Sequence, residues 1–371
     1  MKAAVLREVG APLRLEDVEL DEPRAGEVLV RIEAAGVCHS DLHYMTGDLK
    51  AKLPLVVGHE GAGIVEALGP GGRARVSVGD RVALLWRPRC GECEACVGGN
   101  PVLCRFGRVL ATTNGLMDGT TRLHQGEDRI HHLMGVSCFA ERVVVSETSV
   151  LPVPDGVPPG IAAISACAVI TGVGAVLNVV ERPAGRPLAV FGAGGVGLAA
   201  VMGAALTGAH PVIAIDIDPA KLDLARRLGA THVVDARAGD AVAQVLELSD
   251  GGVPWMIDAV GRPETMSQAL DCLRPSGTLV AVGLSSADAT VRLPINDLVQ
   301  RQKRVVGSLY GSSNPRLDLP RLFTMYLAGR LPLGELIGAQ RPLAEVNQAY
   351  AELRAGGLGR TILLPGGIGD R

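Results

Sequence analysis

Four cysteines in one short segment have the spacing of a metal site. Two, two and seven residues separate them in CGECEACVGGNPVLC, and they are Cys90, Cys93, Cys96 and Cys104. Four thiolates complete a tetrahedral shell and leave no position for water, so a zinc ion held here would be structural. The spacing leaves an iron–sulfur cluster open as an alternative, whereas the three-residue steps argue against four unconnected buried thiols.

Three further residues of metal-binding types are dispersed along the chain. Cys38 lies in GVCHSDLH, His59 in GHEGAG and Cys167 in ISACAVITG. Taken singly, each also has a purely structural interpretation, as a small buried thiol or as a hydrogen-bonded histidine of the core. Their spacing does not decide between the two interpretations.

A glycine-rich turn indicates a phosphate-binding site. The run GAGGVG fits G-x-G-x-x-G, follows an apolar strand and opens an apolar helix, which is the context that gives the motif its meaning. The glycines allow a tight turn, close approach of a pyrophosphate and close packing of helix on strand, and the helix N-terminus faces the phosphate charge. The predicted cofactor contacts of this turn are Gly192, Gly194, Gly195, Val196 and Gly197.

A carboxylate further along predicts which dinucleotide binds. Asp216 ends the next apolar run, 19 residues after Gly197. A carboxylate at this place accepts hydrogen bonds from the adenosine ribose hydroxyls and repels a 2′-phosphate. The sequence therefore predicts NAD in preference to NADP. Asp218 is predicted to cap the helix that begins at Pro219.

The chain has two textures, and its 371 residues suit two domains. Up to about Val153, short apolar runs such as Glu27 to Glu33 and Ala62 to Leu68 are separated by Gly and Pro, which indicates an irregular β-rich domain. From about Ile161 to Ser308, strands alternate with helices, as in a parallel sheet covered on both faces. The predicted elements from this zone onward are Leu188 to Gly192, Val196 to Thr207, Val212 to Asp216, Pro219 to Leu228, His232 to Asp235, Trp255 to Val260, Thr278 to Gly283, Leu319 to Ala328, Leu343 to Arg354 and Arg360 to Leu364.

Bulk composition limits the partners. The formal net charge of -3 provides no global basic field for nucleic acid or for an anionic membrane. The N-terminal apolar run is too short for a signal peptide. The longest apolar segment, around residues 187 to 206, is interrupted by glycines, so no membrane span is expected. We therefore expect a cytoplasmic protein whose eight cysteines are thiols or metal ligands rather than disulfides.

Over essentially its whole length, the chain resembles the zinc-containing medium-chain alcohol dehydrogenases. GHEGAGIVEALG, the four-cysteine segment, FGAGGVGL and IDID occur in the family's order. The resemblance implies an α/β protein with a GroES-like β-rich catalytic domain, residues 1–168 and 310–371, that carries two zinc sites. The inserted residues 169–309 would form a Rossmann domain, a doubly wound parallel sheet that binds NAD.

The resemblance also assigns roles near the metal. It implies that Cys38, His59 and Cys167 bind a catalytic zinc, with water or substrate oxygen as fourth ligand, which makes two zinc ions per chain. Asp41 lies where it could orient His59, although a solvated surface position is the alternative for Asp41 and also for Glu60. The residues that would act in catalysis are Ser40 and His43, as a proton relay, and Glu60, as a carboxylate beside the ligands.

Further positions are carried over for the cofactor and the substrate. The resemblance places Lys221 near the adenosine ribose and Arg360 on the pyrophosphate. His39 stands where many relatives have arginine, and histidine is only partly charged at neutral pH. The residues that would line the nicotinamide side are Thr171, Val260, Val282 and Leu284. The expected walls of the substrate pocket are Trp86, Leu49 and Phe139.

The implied reaction is the reversible oxidation of primary aromatic, allylic or medium-chain alcohols to aldehydes, with hydride transfer from a zinc-bound alkoxide to NAD. A glutathione- or other thiol-dependent formaldehyde dehydrogenase is the alternative, which Arg108 favours and the lack of an Asp/Glu pair after His43 disfavours. A zinc-stabilised NAD-binding protein without activity is the third possibility, and the intact relay argues against it. The sheet edge near Thr278 to Leu284 and Val291 to Ile295 predicts a homodimer or homotetramer.

Overall fold

The computed structural model describes residues 1–72 and 75–367, and the chain divides into two compact units. The first unit comprises Met1–Cys167, Asn314–Leu327 and the residues from Ile337 onward, and the second comprises Ala168–Ser313 and Ala328–Leu336. The boundary at Cys167 lies one residue from the expected one. Residues 310–313 and 328–336, expected in the first unit, belong to the second.

Packing explains why residues 310–313 belong to the second unit. Asn178 donates its side-chain N–H to the carbonyl of Gly311 at 3.1 Å. A Cβ on Gly311 would stand only 2.3 Å from the carbonyl oxygen of Ile170, so this glycine packs directly on a helix backbone. These contacts tie the segment to the first helix of the second unit.

Over the described residues, the strands β1 to β19 are Lys2–Leu6, Arg14–Asp17, Glu19–Leu20, Glu27–Gly36, Leu55–Val56, Glu60–Leu68, Arg81–Leu84, Leu123–Gln125, Asp128–His132, Arg142–Ser146, Val150–Pro152, Leu188–Phe191, Val212–Asp216, His232–Asp235, Val253–Asp258, Leu273–Ala281, Arg304–Gly307, Ile337–Pro342 and Arg360–Leu364. The helices α1 to α12 are His39–Thr46, Glu94–Val97, Phe106–Thr113, Pro159–Ile164, Ile170–Val179, Gly195–Leu206, Pro219–Arg227, Ala241–Leu248, Pro263–Asp271, Ile295–Gln300, Pro315–Leu327 and Val346–Arg354.

The second unit contains the predicted parallel sheet. Its strand order is β14-β13-β12-β15-β16-β17, all pairs are parallel, and the order of the strands switches direction between β12 and β15, as in a doubly wound dinucleotide fold. The predicted strands Val212 to Asp216 and His232 to Asp235 are confirmed. The strand predicted as Trp255 to Val260 corresponds to β15, Val253–Asp258, so the prediction begins and ends two residues too late. Strand β16 begins at Leu273 rather than at the predicted Thr278.

The edge strand differs from the expected one. The segment predicted at the edge, Thr278 to Leu284, contains the end of β16, which is paired on both sides. The edge is β17, Arg304–Gly307. Its Val305 and Val306 are 39% and 37% exposed.

The first unit is built around the long strand β4. This strand pairs with β6, β10 and β19, so the last strand of the chain lies beside one of the first. Gly36 of β4 is opposite Glu60 of β6, and a Cβ on Gly36 would stand 2.1 Å from a Glu60 carboxylate oxygen. This register brings the residues just after β4 and just before β6 to the same end of the sheet.

One apolar stretch corrects an expectation from the sequence. Residues Pro159–Val179 form a helical run of 21 residues with a mean hydropathy of 2.2, long and apolar enough by those measures to cross a membrane. The expectation that no stretch reaches this length is therefore wrong. In the most apolar window of this run, 89% of the segment is buried within the protein, as in a core helix. A π-helical turn at Ser165–Val169 interrupts the run.

A buried ion cluster fastens the segment after the four cysteines to β4. The Arg122 side chain is 1% exposed, and its guanidinium donates to Glu27 on β4 at 2.9 Å and to Asp118 at 2.7 Å. Partial burial raises the pKa of Asp118, but the hydrogen bonds from Arg122 and Thr120 and the Arg122 charge together outweigh it and hold that pKa at about 2. Buried charges of this kind are stable only while paired.

We predict that Glu27→Gln destabilises the first unit by about 3 kcal/mol, because it leaves the buried Arg122 charge with one partly exposed partner. The matched control is Asp17→Asn, whose Asp17–Lys2 pair is 74% and 49% exposed and should leave the unfolding midpoint nearly unchanged, because exposed ion pairs contribute little to stability. Thermal unfolding of both variants compares them. Equal midpoints would show that the buried cluster does not stabilise the fold.

Candidate functional site

The four-cysteine segment forms a compact cluster of sulfurs. The Sγ atoms of Cys90, Cys93, Cys96 and Cys104 all lie within 4.8 Å of one another, and the Sγ of Cys104 lies 3.7 Å from that of Cys90 and 3.9 Å from that of Cys93. A tetrahedral zinc with Zn–S bonds of about 2.3 Å requires S–S separations of about 3.8 Å. None of these cysteines is in a disulfide, so the segment fits a structural zinc.

The dispersed residues converge into a second cluster in the first unit. Donor atoms of Cys38, His59, Glu60 and Cys167 lie within 4.8 Å of one another, and all four residues are buried. Cys167 Sγ is 3.3 Å from His59 Nε2. Two sulfurs, one imidazole nitrogen and a neighbouring carboxylate are a donor set suited to zinc.

Each residue of this second cluster is positioned by a different element. Cys38 caps helix α1, and its sulfur accepts the backbone N–H of Ser40. His59 directly precedes β6, and Cys167 lies in the π-helical turn, a feature that often marks functional sites. The β4–β6 register brings the ends that carry Cys38 and His59 together.

Asp41 orients the histidine. Its carboxylate is fully buried, accepts the backbone N–H of Gly58 at 3.1 Å and lies 2.9 Å from His59 Nδ1. A histidine whose Nδ1–H donates to a carboxylate presents its Nε2 lone pair to a metal. The interpretation of Asp41 as a residue that orients His59 is confirmed, and the alternative of a solvated surface position is wrong.

The surroundings of the cluster act in opposite directions on its two thiols: they lower the pKa of Cys38 and raise that of Cys167. The hydrogen bond from Cys167 is the largest of the effects that lower the pKa of the Cys38 thiol, and a metal ligand must be a thiolate. Burial raises the pKa of Glu60 to about 8, with the Arg360 charge opposing it. Arg360 Nη2 lies 3.3 Å from Glu60, and Nη1 donates to the Val37 carbonyl at 3.1 Å.

The predicted relay residues lie on one helix. The Ser40 hydroxyl is 3.6 Å from Cys38 Sγ, so it borders the metal cluster. His43 follows one turn later, partly exposed, with Nδ1 3.0 Å from Asp48. Sequence reasoning did not assign Asp48, which lies five residues from His43 and outside any recognised motif.

The three predicted pocket residues have different environments. Trp86 is 9% exposed and meets the His59 ring edge-on, with centroids 6.1 Å apart. Leu49 is half-buried, and its N–H donates to the His43 carbonyl at 3.0 Å. Phe139 is fully buried against Tyr350 and Gly58. Phe139 is therefore a core residue, and its assignment to the pocket wall is wrong.

The glycine-rich turn of the second unit has the geometry that the motif requires. Gly192 has φ of 89°, the left-handed region that favours glycine. A Cβ on Gly197 would stand 1.7 Å from the Gly192 carbonyl oxygen, whereas one on Gly194 would meet no atom of the described residues within 4 Å. Helix α6 begins after Gly194 without a side-chain cap, so its first N–H groups can serve an anion.

The carboxylate of Asp216 lies at the end of β13, where it was predicted. It accepts the N–H of Ala193 at 2.6 Å and that of Ile217 at 2.8 Å, and so connects the strand to the glycine turn. Asp218 caps α7 through the N–H of Ala220, as predicted. Lys221 is half-buried in the first turn of that helix.

The remaining predicted cofactor residues have different environments. Thr171 is buried in α5, and His39 is exposed at the start of α1. Val260 packs on the turn, because a Cβ on Gly192 would meet its Cγ2 at 2.7 Å. Val282 is half-buried, and Leu284 is 47% exposed.

One organising residue of the second unit was missed from the sequence. Asp258, fully buried at the end of β15, accepts the N–H groups of Val260 at 3.2 Å and Gly261 at 3.1 Å. Its backbone carbonyl accepts those of Val282 and Gly283. The sequence signal was weaker than for Asp216, because Asp258 lies inside the predicted strand Trp255 to Val260 and ends only the observed one.

Comparisons with known proteins agree with this geometry. The family models "Alcohol dehydrogenase GroES-like domain" and "Zinc-binding dehydrogenase" match residues 24–155 and 195–326. The chain is 40% identical over 359 residues to an NDMA-dependent alcohol dehydrogenase of Amycolatopsis methanolica, with 96% of each chain covered. It is 36% identical over 372 residues to an S-(hydroxymethyl)glutathione dehydrogenase of Komagataella pastoris, with 98% of this chain and 97% of that one covered.

A solved structure gives the same result. Benzyl alcohol dehydrogenase from Acinetobacter calcoaceticus superimposes with a TM-score of 0.91 at 34% identity, over 98% of both chains. The chain belongs to the zinc-dependent medium-chain alcohol dehydrogenase family. The enzyme is therefore an oxidoreductase, and the expected fold class, a GroES-like domain with a doubly wound nucleotide-type domain, is confirmed.

We predict two zinc ions per chain, measured by elemental analysis of purified enzyme. Cys167→Ser should retain about one zinc and its fold but lose turnover, whereas Cys104→Ser should lose the structural ion and unfold more readily. Cys272→Ser is the control, since Cys272 is a buried thiol outside both clusters, and it should keep both ions. One ion or none in active wild-type enzyme would contradict the two-site assignment.

Two glycine substitutions should separate folding from cofactor binding. Gly197→Ala should destabilise the second unit, because its Cβ overlaps the Gly192 carbonyl. Gly194→Ala should fold normally but bind NADH roughly tenfold more weakly or worse, about 1.4 kcal/mol, because its Cβ occupies the approach to the turn. Gly334→Ala is the control for both variants, because the space around a Cβ at Gly334 is as open as that at Gly194. NADH fluorescence titration and thermal unfolding give the comparison, and unchanged NADH binding by Gly194→Ala would contradict it.

Proposed function

We propose that the enzyme is an NAD-dependent dehydrogenase of primary alcohols that interconverts an alcohol and its aldehyde. The observation that carries this proposal is the convergence of Cys38, His59 and Cys167 with the Ser40 hydroxyl beside the Cys38 sulfur. A zinc ion bound there would supply a Lewis acid that lowers the pKa of an alcohol hydroxyl. The chain's own residues then have to hold the ion, remove the proton and bind the hydride acceptor.

Ser40 and His43 are proposed to carry the proton away. The Ser40 hydroxyl borders the metal cluster and can accept the alcohol proton while donating its own onward. His43 is partly exposed, so it can exchange a proton with solvent, and the Asp48 carboxylate at its Nδ1 holds the ring in one orientation. Removal of the alcohol proton before hydride departure is general base catalysis.

The cofactor part of the proposal rests on Asp216 and the open Gly194 turn. Asp216 Oδ1 already accepts the N–H groups of Ile217 and Asp218. Oδ2 accepts that of Ala193 and keeps a second lone pair for a ribose hydroxyl. Arg360 is proposed to help bind the pyrophosphate. This role agrees with the finding that its Nε has no hydrogen-bond partner among the residues that the structure describes.

The substrate proposal favours alcohols with apolar tails. Trp86 and Leu49 are the two predicted pocket residues whose environment remains compatible with that role. One of the relatives by structure is a benzyl alcohol dehydrogenase, which supports an aromatic substrate. Oxidation of an S-hydroxymethyl thiol is the second candidate, because a relative carries that activity in its name and because Arg108 is exposed on α3.

Assembly and location belong to the same proposal. The edge strand β17 and the neighbouring α10 expose Val305, Val306, Val299 and Ile295, and pairing of two such edges would cover both the apolar groups and the free strand. We therefore propose a homodimer or a dimer of dimers, which light scattering at micromolar concentration tests. Eight free cysteines agree with a reducing cytoplasm.

An assay with matched substrates tests the function. Purified enzyme is given ethanol, benzyl alcohol, geraniol and a hydroxymethyl-thiol adduct, each with NAD, with NADP, and with NDMA added because one relative depends on it. Rapid NADH formation from benzyl alcohol or geraniol supports the proposal. Turnover confined to the thiol adduct supports the second candidate, and no turnover with any substrate contradicts both.

We predict that Asp216→Gly lowers kcat/KM for NAD by roughly ten- to a hundredfold, the equivalent of about 1.5–3 kcal/mol of charge-assisted hydrogen bonding. It should also allow NADP to bind more tightly, since a carboxylate no longer repels the 2′-phosphate. Asp216→Asn is the second variant: it loses the charge and the oxygen that accepts from Ile217 and Asp218 but keeps one acceptor oxygen for Ala193 and for the ribose. An unchanged NAD/NADP ratio in both variants would show that Asp216 does not select the cofactor.

A further inference from the structure

A cavity of about 190 Å³ lies in the first unit, beside the four-cysteine segment. Among the residues that the structure describes, its charged lining consists of Arg75, Arg89, Arg316 and Glu147. Three guanidinium groups against one carboxylate leave an excess of two positive charges. No part of the function proposed above uses this cavity.

The arginines are held close together at a cost in electrostatic energy. Burial lowers the pKa of Arg316, and the positive charges of Arg89 and Arg75 lower it further. The Nε of Arg316 is buried and has no hydrogen-bond partner among residues 1–72 and 75–367. A buried guanidinium N–H without an acceptor is unfavourable, so an anion supplied from solvent would stabilise this arrangement.

The cavity is also organised in advance of binding. Arg89 donates to the side-chain oxygen of Asn314 at 3.3 Å, and the Asn314 N–H is bonded to Asp318 at 2.7 Å. Arg316 lies in the first turn of the 13-residue helix α11, where the helix dipole favours negative charge. Planar guanidinium groups match the oxygens of a tetrahedral oxyanion.

We propose that this cavity binds a small dianionic oxyanion of the phosphate class. The charge of such an ion equals the excess positive charge of the lining. Cys90 and Gly91 form part of the wall, so the bound anion would link α11 to the segment that holds the structural metal. Occupancy should therefore stabilise that segment without changing the chemistry at Cys38, His59 and Cys167.

Inorganic phosphate is the probe for the test. Zinc-loaded, full-length enzyme is saturated with NADH, so that the dinucleotide's own phosphate site is filled, and is titrated with phosphate or with sodium chloride at equal ionic strength. Calorimetry and thermal unfolding should show saturable phosphate binding and a rise in the unfolding midpoint that chloride does not reproduce. A response that never saturates, or that chloride matches, would overturn the proposal.

Substitutions locate the binding. Arg316→Gln should weaken phosphate binding at least tenfold, and Arg75→Gln, at an exposed position, provides a second variant that should fold regardless. Arg105→Gln is the control, because Arg105 is 59% exposed and paired with Glu92 outside the cavity, and it should bind phosphate like wild type. Unchanged binding by both cavity variants overturns the site. Wild-type enzyme that binds no phosphate, together with loss of the oligomer in Arg316→Gln, also overturns it and would assign the cavity to a carboxylate of a second copy.

Discussion

The structure of the active-site cluster depends on the register between β4 and β6. Gly36 opposite Glu60 brings two segments that are distant in the chain, one carrying Cys38 and the other His59, to one end of a single sheet. A shift by one residue would turn every side chain of the strand to the opposite face. The absence of a side chain at Gly36 makes room for the Glu60 carboxylate, so this pairing is compatible with only the smallest residue at that position.

Around this register, buried polar groups determine the orientation of the ligands. Asp41 is bonded to both the Gly58 backbone and the His59 ring, which fixes the imidazole in one orientation. Arg360 comes from the C-terminal strand and pairs with Glu60, so the end of the chain contributes to a site otherwise built from its first half. The π-helical turn adds Cys167 from a third direction. Each of these contacts is buried, where electrostatic interactions are strong and unpaired charge is costly.

Local patterns could be predicted from the sequence, and long-range placements could not. The Cys90–Cys104 segment and the glycine turn each carry their geometry within a few residues, so spacing sufficed. Cys38, His59 and Cys167 lie far apart, and their convergence depends on strand register, which only the family resemblance supplied. Phe139 was assigned to the pocket because an aromatic residue near the site can line either a cavity or the core, and only packing distinguishes the two. The uncharged run Pro159–Val179 was overlooked because Ser, Thr and Asn interrupt its apolar residues without adding charge.

The two metal sites of the enzyme are expected to form zinc shells of different composition, four thiolates in one and two thiolates with one imidazole in the other. X-ray absorption at the zinc edge measures the average shell directly. This pair of shells predicts about three sulfurs at about 2.3 Å and about one lighter nitrogen or oxygen ligand per zinc, the mean of the two sites. An average of about four sulfurs per zinc would contradict it, because only the Cys90–Cys104 segment would then hold metal.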